Sequence, residues 1–175
     1  NMGAIRKLCS RAILLQGGRL AADGAPEATV RKYLEDTSEK SAIVVYPEDP
    51  AKDIQVRRVT LLDHQGKPSL RLDQLKPFRV EVEYLVHRPI SGVVVSCSIV
   101  TQLDESLIAT ADHDLDRSRL GTRAPGTHRT GVEIPGHLLN SGTFSLVVGI
   151  SIPGKVIYDR REALVLRRDD RLRSA

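Results

Sequence analysis

Two stretches of the chain alternate between apolar and polar side chains. In the first, Phe78, Val80, Val82, Tyr84 and Val86 are interleaved with Arg79, Glu81 and Glu83; in the second, Phe144, Leu146, Val148, Ile150 and Ile152 are interleaved with Ser145, Gly149 and Ser151. A period of two sets one side of a strand against a core and the other toward water. Further strands are predicted over residues 54–62, 92–101, 107–111, 128–134 and 163–168. Turn signals separate them, among them His64-Gln65-Gly66, Arg88-Pro89, Ala124-Pro125-Gly126 and Asn140-Ser141-Gly142. Seven or eight short strands, with no long helical-period segment between them, predict an all-β domain. The expected architecture is an antiparallel immunoglobulin-like or jelly-roll β-sandwich with Greek-key connections.

The N-terminal part follows a different pattern. Arg11 to Leu20 reads RAILLQGGRL, two short strands joined by Gly17-Gly18, a pair suited to positive φ. Pro26 stands at a first helical position, and Val30, Tyr33 and Leu34 recur at helical spacing, so a short amphipathic helix follows the hairpin. Residues 37–53 then turn to charge, serine and proline around an apolar patch, Ile43 to Tyr46, and read as a linker containing a candidate short strand. The chain divides into an N-terminal segment 1–36, a linker 37–53, a sandwich 54–168 and a basic tail 169–175.

Composition narrows the class. A chain of 175 residues can bury a core without a metal or disulfide staple, and no stretch approaches the roughly 20 apolar residues of a membrane-spanning helix. A soluble protein is expected, and the lack of an apolar signal region points to the cytoplasm. Cys9 and Cys97 fall in different structural units, so neither a bridge nor a metal framework is expected, and both read as buried small apolar residues. The net charge of +4 arises from 26 Lys and Arg against 22 Asp and Glu, interleaved rather than clustered. Even the basic run Arg167 to Arg173 contains Asp169 and Asp170. With aromatic platforms also scarce, nucleic acid is not an expected partner.

Candidate chemistry is sparse. Asp112, Asp114 and Asp116 occupy the first, third and fifth positions of a would-be calcium loop, but Arg117 stands where the turn glycine belongs and Arg123 where the bidentate Glu belongs. The five histidines show no pair at metal-ligand spacing, and no serine sits in a nucleophile elbow. Glu81 and Glu83, about 7 Å apart on one face of a strand, could flank a glycosidic bond, though such a pair is more often the wet side of a sandwich. The polar positions Arg79, Glu81, Glu83, Ser96, Ser98, Ser145 and Ser151 alternate with the core sets and suit sugar hydroxyls, so they form the expected binding face. A slip of one residue in the 92–101 strand would exchange Ser96 and Ser98 for Val95, Cys97 and Ile99. There is no Trp, and any stacking platform for a sugar ring falls to Tyr46 or Tyr158.

Two resemblances add to this reading. The opening residues Met2 to Leu15, with Gly17-Gly18-Arg19-Leu20, Asp23-Gly24 and Val30 to Leu34, resemble the last hairpin and helix of an ABC ATPase domain of the polysaccharide-export subfamily. No Gly-x-x-x-x-Gly-Lys-Ser/Thr loop or signature segment is present, so the chain resembles an excised C-terminal piece and is expected to be no enzyme by itself. Residues 54–168 are similar to the C-terminal domains of O-antigen exporter ATPases of the Wzt type. The similarity is carried by Val59-Thr60-Leu61-Leu62-Asp63 with Gly66, by Pro77 to Tyr84, by Pro125-Gly126 with Val132 to Pro135, and by Leu138 to Val148 around Gly142. The pattern departs at Glu105, where the family often has a turn glycine, and at His128, where an aromatic is common.

The resemblance implies a sandwich that binds the exported polysaccharide or O-antigen glycan and forms a homodimer beside the ATPase. The parent protein would sit at the cytoplasmic side of the inner membrane through a membrane permease subunit. It implies no cofactor in this piece, with ATP and Mg belonging to the parent. The alternative function is a structural module that dimerises the transporter ATPase without binding sugar.

Overall fold

A computed structural model describes residues 2–37, 41–101, 105–114 and 116–169. The N-terminal unit comprises α1 (Met2–Leu8), β1 (Ala12–Gln16), β2 (Arg19–Gly24) and α2 (Pro26–Thr37). Gly17 and Gly18, at φ 54° and 77°, close the β1–β2 hairpin, with Gln16 opposite Arg19. Helix α2 packs on it: Thr29 Oγ1 donates to the Ala12 carbonyl at 3.4 Å, Lys32 Nζ to the Ala21 carbonyl at 2.7 Å, and Leu14 and Val30 are buried. The sequence pattern predicts the hairpin and α2 but not α1, whose seven residues hold too few apolar positions to show a period.

The sandwich comprises β3 (Ile43–Val45), β4 (Ile54–Leu62), β5 (Arg71–Asp73), β6 (Phe78–Val86), β7 (Val94–Val100), β8 (Ser106–Ala111), β9 (Gly126–Ile134), β10 (Gly142–Ile152) and β11 (Val156–Asp169). A four-stranded sheet runs β3-β4-β6-β9 and a five-stranded sheet runs β5-β11-β10-β7-β8. Their inner faces enclose one core: Val59, Leu61, Val80, Val82 and Tyr84 from the first sheet meet Cys97, Ile99, Leu146, Val148, Ile150 and Leu166 from the second. Those from β6, β7 and β10 are the alternate positions the pattern assigns inward. Burial of this set supplies the main drive for folding, at about 25 cal/mol per Å² of apolar surface.

Two features depart from the expected strands. Strand β5 is three residues long, too short to show alternation, and it pairs parallel to β11 in an otherwise antiparallel sandwich. Strand β11 begins at Val156 rather than Ala163; register shifts against β10 near Leu146 and Ile150 interrupt its alternation. The candidate short strand of the linker is present as β3, which pairs with β4. Residues further along that segment are tied down too: Asp49 N donates to Gln55 Oε1 at 3.2 Å, and Lys52 Nζ lies 3.1 Å from the buried Asp159 carboxylate. At the other end Arg168 is buried, its guanidinium donating to the Gln74 and Lys76 carbonyls at 2.6 and 3.2 Å and covering the Phe78 ring at 5.0 Å. Of the expected tail, residues 170–175 lie outside the described residues.

The two cysteines differ. Cys97 is buried in the core, and desolvation pushes its thiol up to about 12. Cys9, expected to be buried, is exposed just beyond α1, because that short helix offers no core to receive it.

Candidate functional site

Cross-strand register organises the outer face of the four-stranded sheet into rows. Arg58, Glu83 and Arg129 lie side by side on β4, β6 and β9; Thr60, Glu81 and Gly131 form the next row, and Leu62, Arg79 and Glu133 the third. Side chains directly opposite in such a ladder are within reach of each other. Arg129 takes Glu83, its Nε donating to Oε2 at 2.9 Å and its Nη2 2.8 Å from the same oxygen. Glu81 lies 3.4 Å from Arg79 Nε.

Gly131 makes room for the Arg79 side chain in the middle of the face. A Cβ there would stand 3.0 Å from the Val80 carbonyl oxygen and 3.4 Å from Arg79 Nε, so the Arg79 side chain crosses the strand where another residue's side chain would stand. The first two rows, with Arg79, Thr130 and Arg119, line a cavity of about 490 Å³, within the range of small-ligand sites.

Arg119 reaches the cavity from a 3-10 turn, Arg117–Leu120. Asp116 caps that turn, accepting from Ser118 Oγ at 2.5 Å and Ser118 N at 3.1 Å, and these bonds hold its carboxyl below the ordinary aspartate range. From beneath, the buried guanidinium of Arg123 holds the turn by donating through Nη2 to the Arg119 carbonyl at 3.1 Å and the Val93 carbonyl at 2.7 Å. Nη2 also lies 2.9 Å from Asp112 Oδ2, and Nη1 donates to the Tyr84 hydroxyl. Arg119 itself is loosely held, 3.4 Å from Thr130 Oγ1 and 3.6 Å from Asp116 Oδ2.

A second depression, of about 380 Å³, opens between the edges β8 and β9. The buried side chains of Val80, Val82, Val95 and Cys97 line it together with the exposed Asp114 and Asp116, and it shares Arg119 and Gly131 with the first.

The seven residues expected on one polar face are divided between two. Arg79, Glu81 and Glu83 stand together on the four-stranded sheet. Ser96 and Ser98 on β7, and Ser145 and Ser151 on β10, belong to the five-stranded sheet, whose outer face points the opposite way. Ser145 is also only 5 % exposed, lying between Val100 and Val165 in the register. Alternation separates inward from outward along each strand; it does not say which sheet the strand joins. The β7 register is the unslipped one, with Cys97 and Ile99 in the core.

The sequence reading missed Arg58, Thr60, Arg119, Arg129, Thr130 and Gly131. Arg58 and Thr60 do alternate with Val59 and Leu61, but only strand pairing sets them beside Glu83 and Glu81. Arg119 carries no local signal. The expected stacking candidates, Tyr46 and Tyr158, pack against the core, and the Arg161 guanidinium covers the Tyr46 ring at 4.7 Å. The carboxylates of the acidic loop are engaged within the protein. Asp112 Oδ1 accepts from Val95 N at 3.0 Å, and Asp114 Oδ2 accepts from Ala111 N at 2.7 Å and Thr110 Oγ1 at 3.0 Å.

Fold and site define a two-sheet β-sandwich with a polar groove on the outer face of its smaller sheet. The chain belongs to the Wzt C-terminal domain family, whose sequence profile matches residues 50–172, and is thereby an ABC-transporter C-terminal domain. Among solved structures, the crystal structure of the C-terminal domain of Wzt is similar, with a TM-score of 0.59 at 17 % identity over 74 % of this chain and 78 % of that chain. At that identity the likeness is one of fold. No curated protein matches the chain. Among the described residues no helix is long and apolar enough to cross a membrane.

Proposed function

We propose that the groove on the outer face of the four-stranded sheet binds the glycan that the parent ABC transporter exports, and that the chain catalyses no reaction itself. The observation that carries this reading is the cavity of about 490 Å³ in which guanidinium donors, carboxylate acceptors and the hydroxyls of Thr60 and Thr130 converge. Sugar hydroxyls both donate and accept, and such a surface offers partners for each role. In this reading a homodimer presents two grooves beside the parent's ATP-binding domains and its membrane permease. Tethering then raises the local glycan concentration, so a shallow site with weak intrinsic affinity suffices.

The competing reading, a dimerisation module without sugar binding, draws support from the ion pairing of Glu81 and Glu83 with Arg79 and Arg129. Exposed pairs of this kind are worth about 0–1 kcal/mol, so sugar hydroxyls can displace them at small cost. The test is titration calorimetry against a panel of bacterial polysaccharides with the wild type, Arg79→Ala and Glu81→Ala. Each variant is expected to lose about 1–3 kcal/mol of binding with an unchanged melting temperature. A chain that binds none of the panel, or two variants that bind as the wild type does, would overturn the reading.

A further inference from the structure

We infer that the groove selects a glycan bearing an anionic group, a carboxylate or a phosphate. This inference rests on the glycan-binding reading and narrows it. Four guanidinium groups line the cavity, those of Arg58, Arg79, Arg119 and Arg129, against two carboxylates, those of Glu81 and Glu83. The pairing leaves an excess of positive charge in a definite place. In the row Arg58–Glu83–Arg129 two arginines flank one carboxylate, and Arg129 holds it through both Nε and Nη2. Among the described residues no carboxylate lies within ion-pair distance of Arg58, which is exposed on β4.

On the far side of the cavity Arg119 shares Asp116 only at 3.6 Å, and Asp116 is already engaged by Ser118. Arg58, with no carboxylate partner among the described residues, and Arg119, held only by the long pair with Asp116, therefore bring weakly compensated donors to a cavity that Gly131 and the Thr60 hydroxyl also line. A neutral sugar would leave that charge to water. An anionic substituent would gain charge-assisted hydrogen bonds, the stronger kind, from planar donors that match carboxylate and phosphate geometry.

The experiment is an array of bacterial polysaccharides divided into uronate-bearing, phosphate-bearing and neutral sets, followed by calorimetry of the tightest binder with the whole chain and with Arg58→Gln. The expected result is preference for one anionic set, with affinity falling as salt rises from 50 to 300 mM, on the order of several-fold. In Arg58→Gln the affinity should drop about tenfold and the salt dependence flatten, with the melting temperature unchanged. Which anionic set binds identifies the source of the charge. Binders drawn from the neutral set alone, or anionic binders indifferent to both salt and Arg58→Gln, would overturn the inference and leave glycan binding standing. Binding to no set would overturn both.

Discussion

Arg123 and Asp112 form an ion pair of 2.9 Å inside the sandwich, their side chains 7 % and 1 % exposed. Asp112 follows the end of β8 in the five-stranded sheet, while Arg123 also reaches the Tyr84 hydroxyl of the four-stranded sheet, so the pair links the two layers where their edges part. Because Arg123 also holds the Arg119 carbonyl, it positions the turn that brings Arg119 to the groove. Removing one partner of a buried pair strands the other charge. Arg123→Met is expected to cost about 3–5 kcal/mol in urea denaturation, and adding Asp112→Asn should return part of that loss. Additive single and double variants would show that the pair is not coupled.

Division of the polar residues between two sheets makes a second expectation. Ser96→Ala and Ser98→Ala should leave polysaccharide binding unchanged, while Glu83→Ala, which frees Arg129, should alter it. Calorimetry of these variants against one polysaccharide decides; loss of binding in the serine variants would move the site to the other sheet.

Asp114 has its carboxyl held below the ordinary aspartate value of 3.8, first by the Ala111 backbone N–H and then by the Thr110 hydroxyl. A depressed folded-state value adds stability that is fully present above about pH 3.8 and is lost as pH falls through the lower folded value. Stability followed by denaturation between pH 6 and pH 2 should therefore drop below pH 4, and Asp114→Asn should flatten that drop. An unchanged acid profile in Asp114→Asn would remove this loop from the acid response.

Gly136 meets the connector between β5 and β6 without room for a side chain. A Cβ there would stand 2.2 Å from the Leu75 carbonyl oxygen, and backbone cannot swing aside as a side-chain tip can. Gly136→Ala is expected to cost about 2 kcal/mol or more, read as a lower melting temperature. Wild-type stability would mean that the connector shifts freely.

The thiols should separate by reactivity, since only the thiolate attacks an alkylating agent. Iodoacetamide at pH 8 is expected to modify Cys9 in the native chain and both cysteines after denaturation, as counted by mass spectrometry. Rapid native modification of Cys97 would show that the crevice between β8 and β9 opens to solvent.

Much of the architecture is carried by side-chain period alone. Phe78 to Val86 and Phe144 to Ile152 alternate in the sequence as they do in the fold, because burying one face of a strand is a local constraint written at every second position. The turn glycines 17 and 18 and the helix-starting Pro26 are equally local. Where the pattern failed, the cause was not local: β5 exists because β11 offers it a parallel partner, and β11's alternation breaks where its register with β10 shifts. The site shows the same division. The sequence by itself determined that Arg79, Glu81 and Glu83 face outward together. Only the tertiary structure decided that Arg58 and Arg129 flank Glu83, that Arg119 arrives from a turn held by Arg123, and that the serines stand on the opposite sheet. The period of a strand fixes in and out, whereas its neighbours are chosen by which edges pair, and pairing depends on residues far apart in the chain.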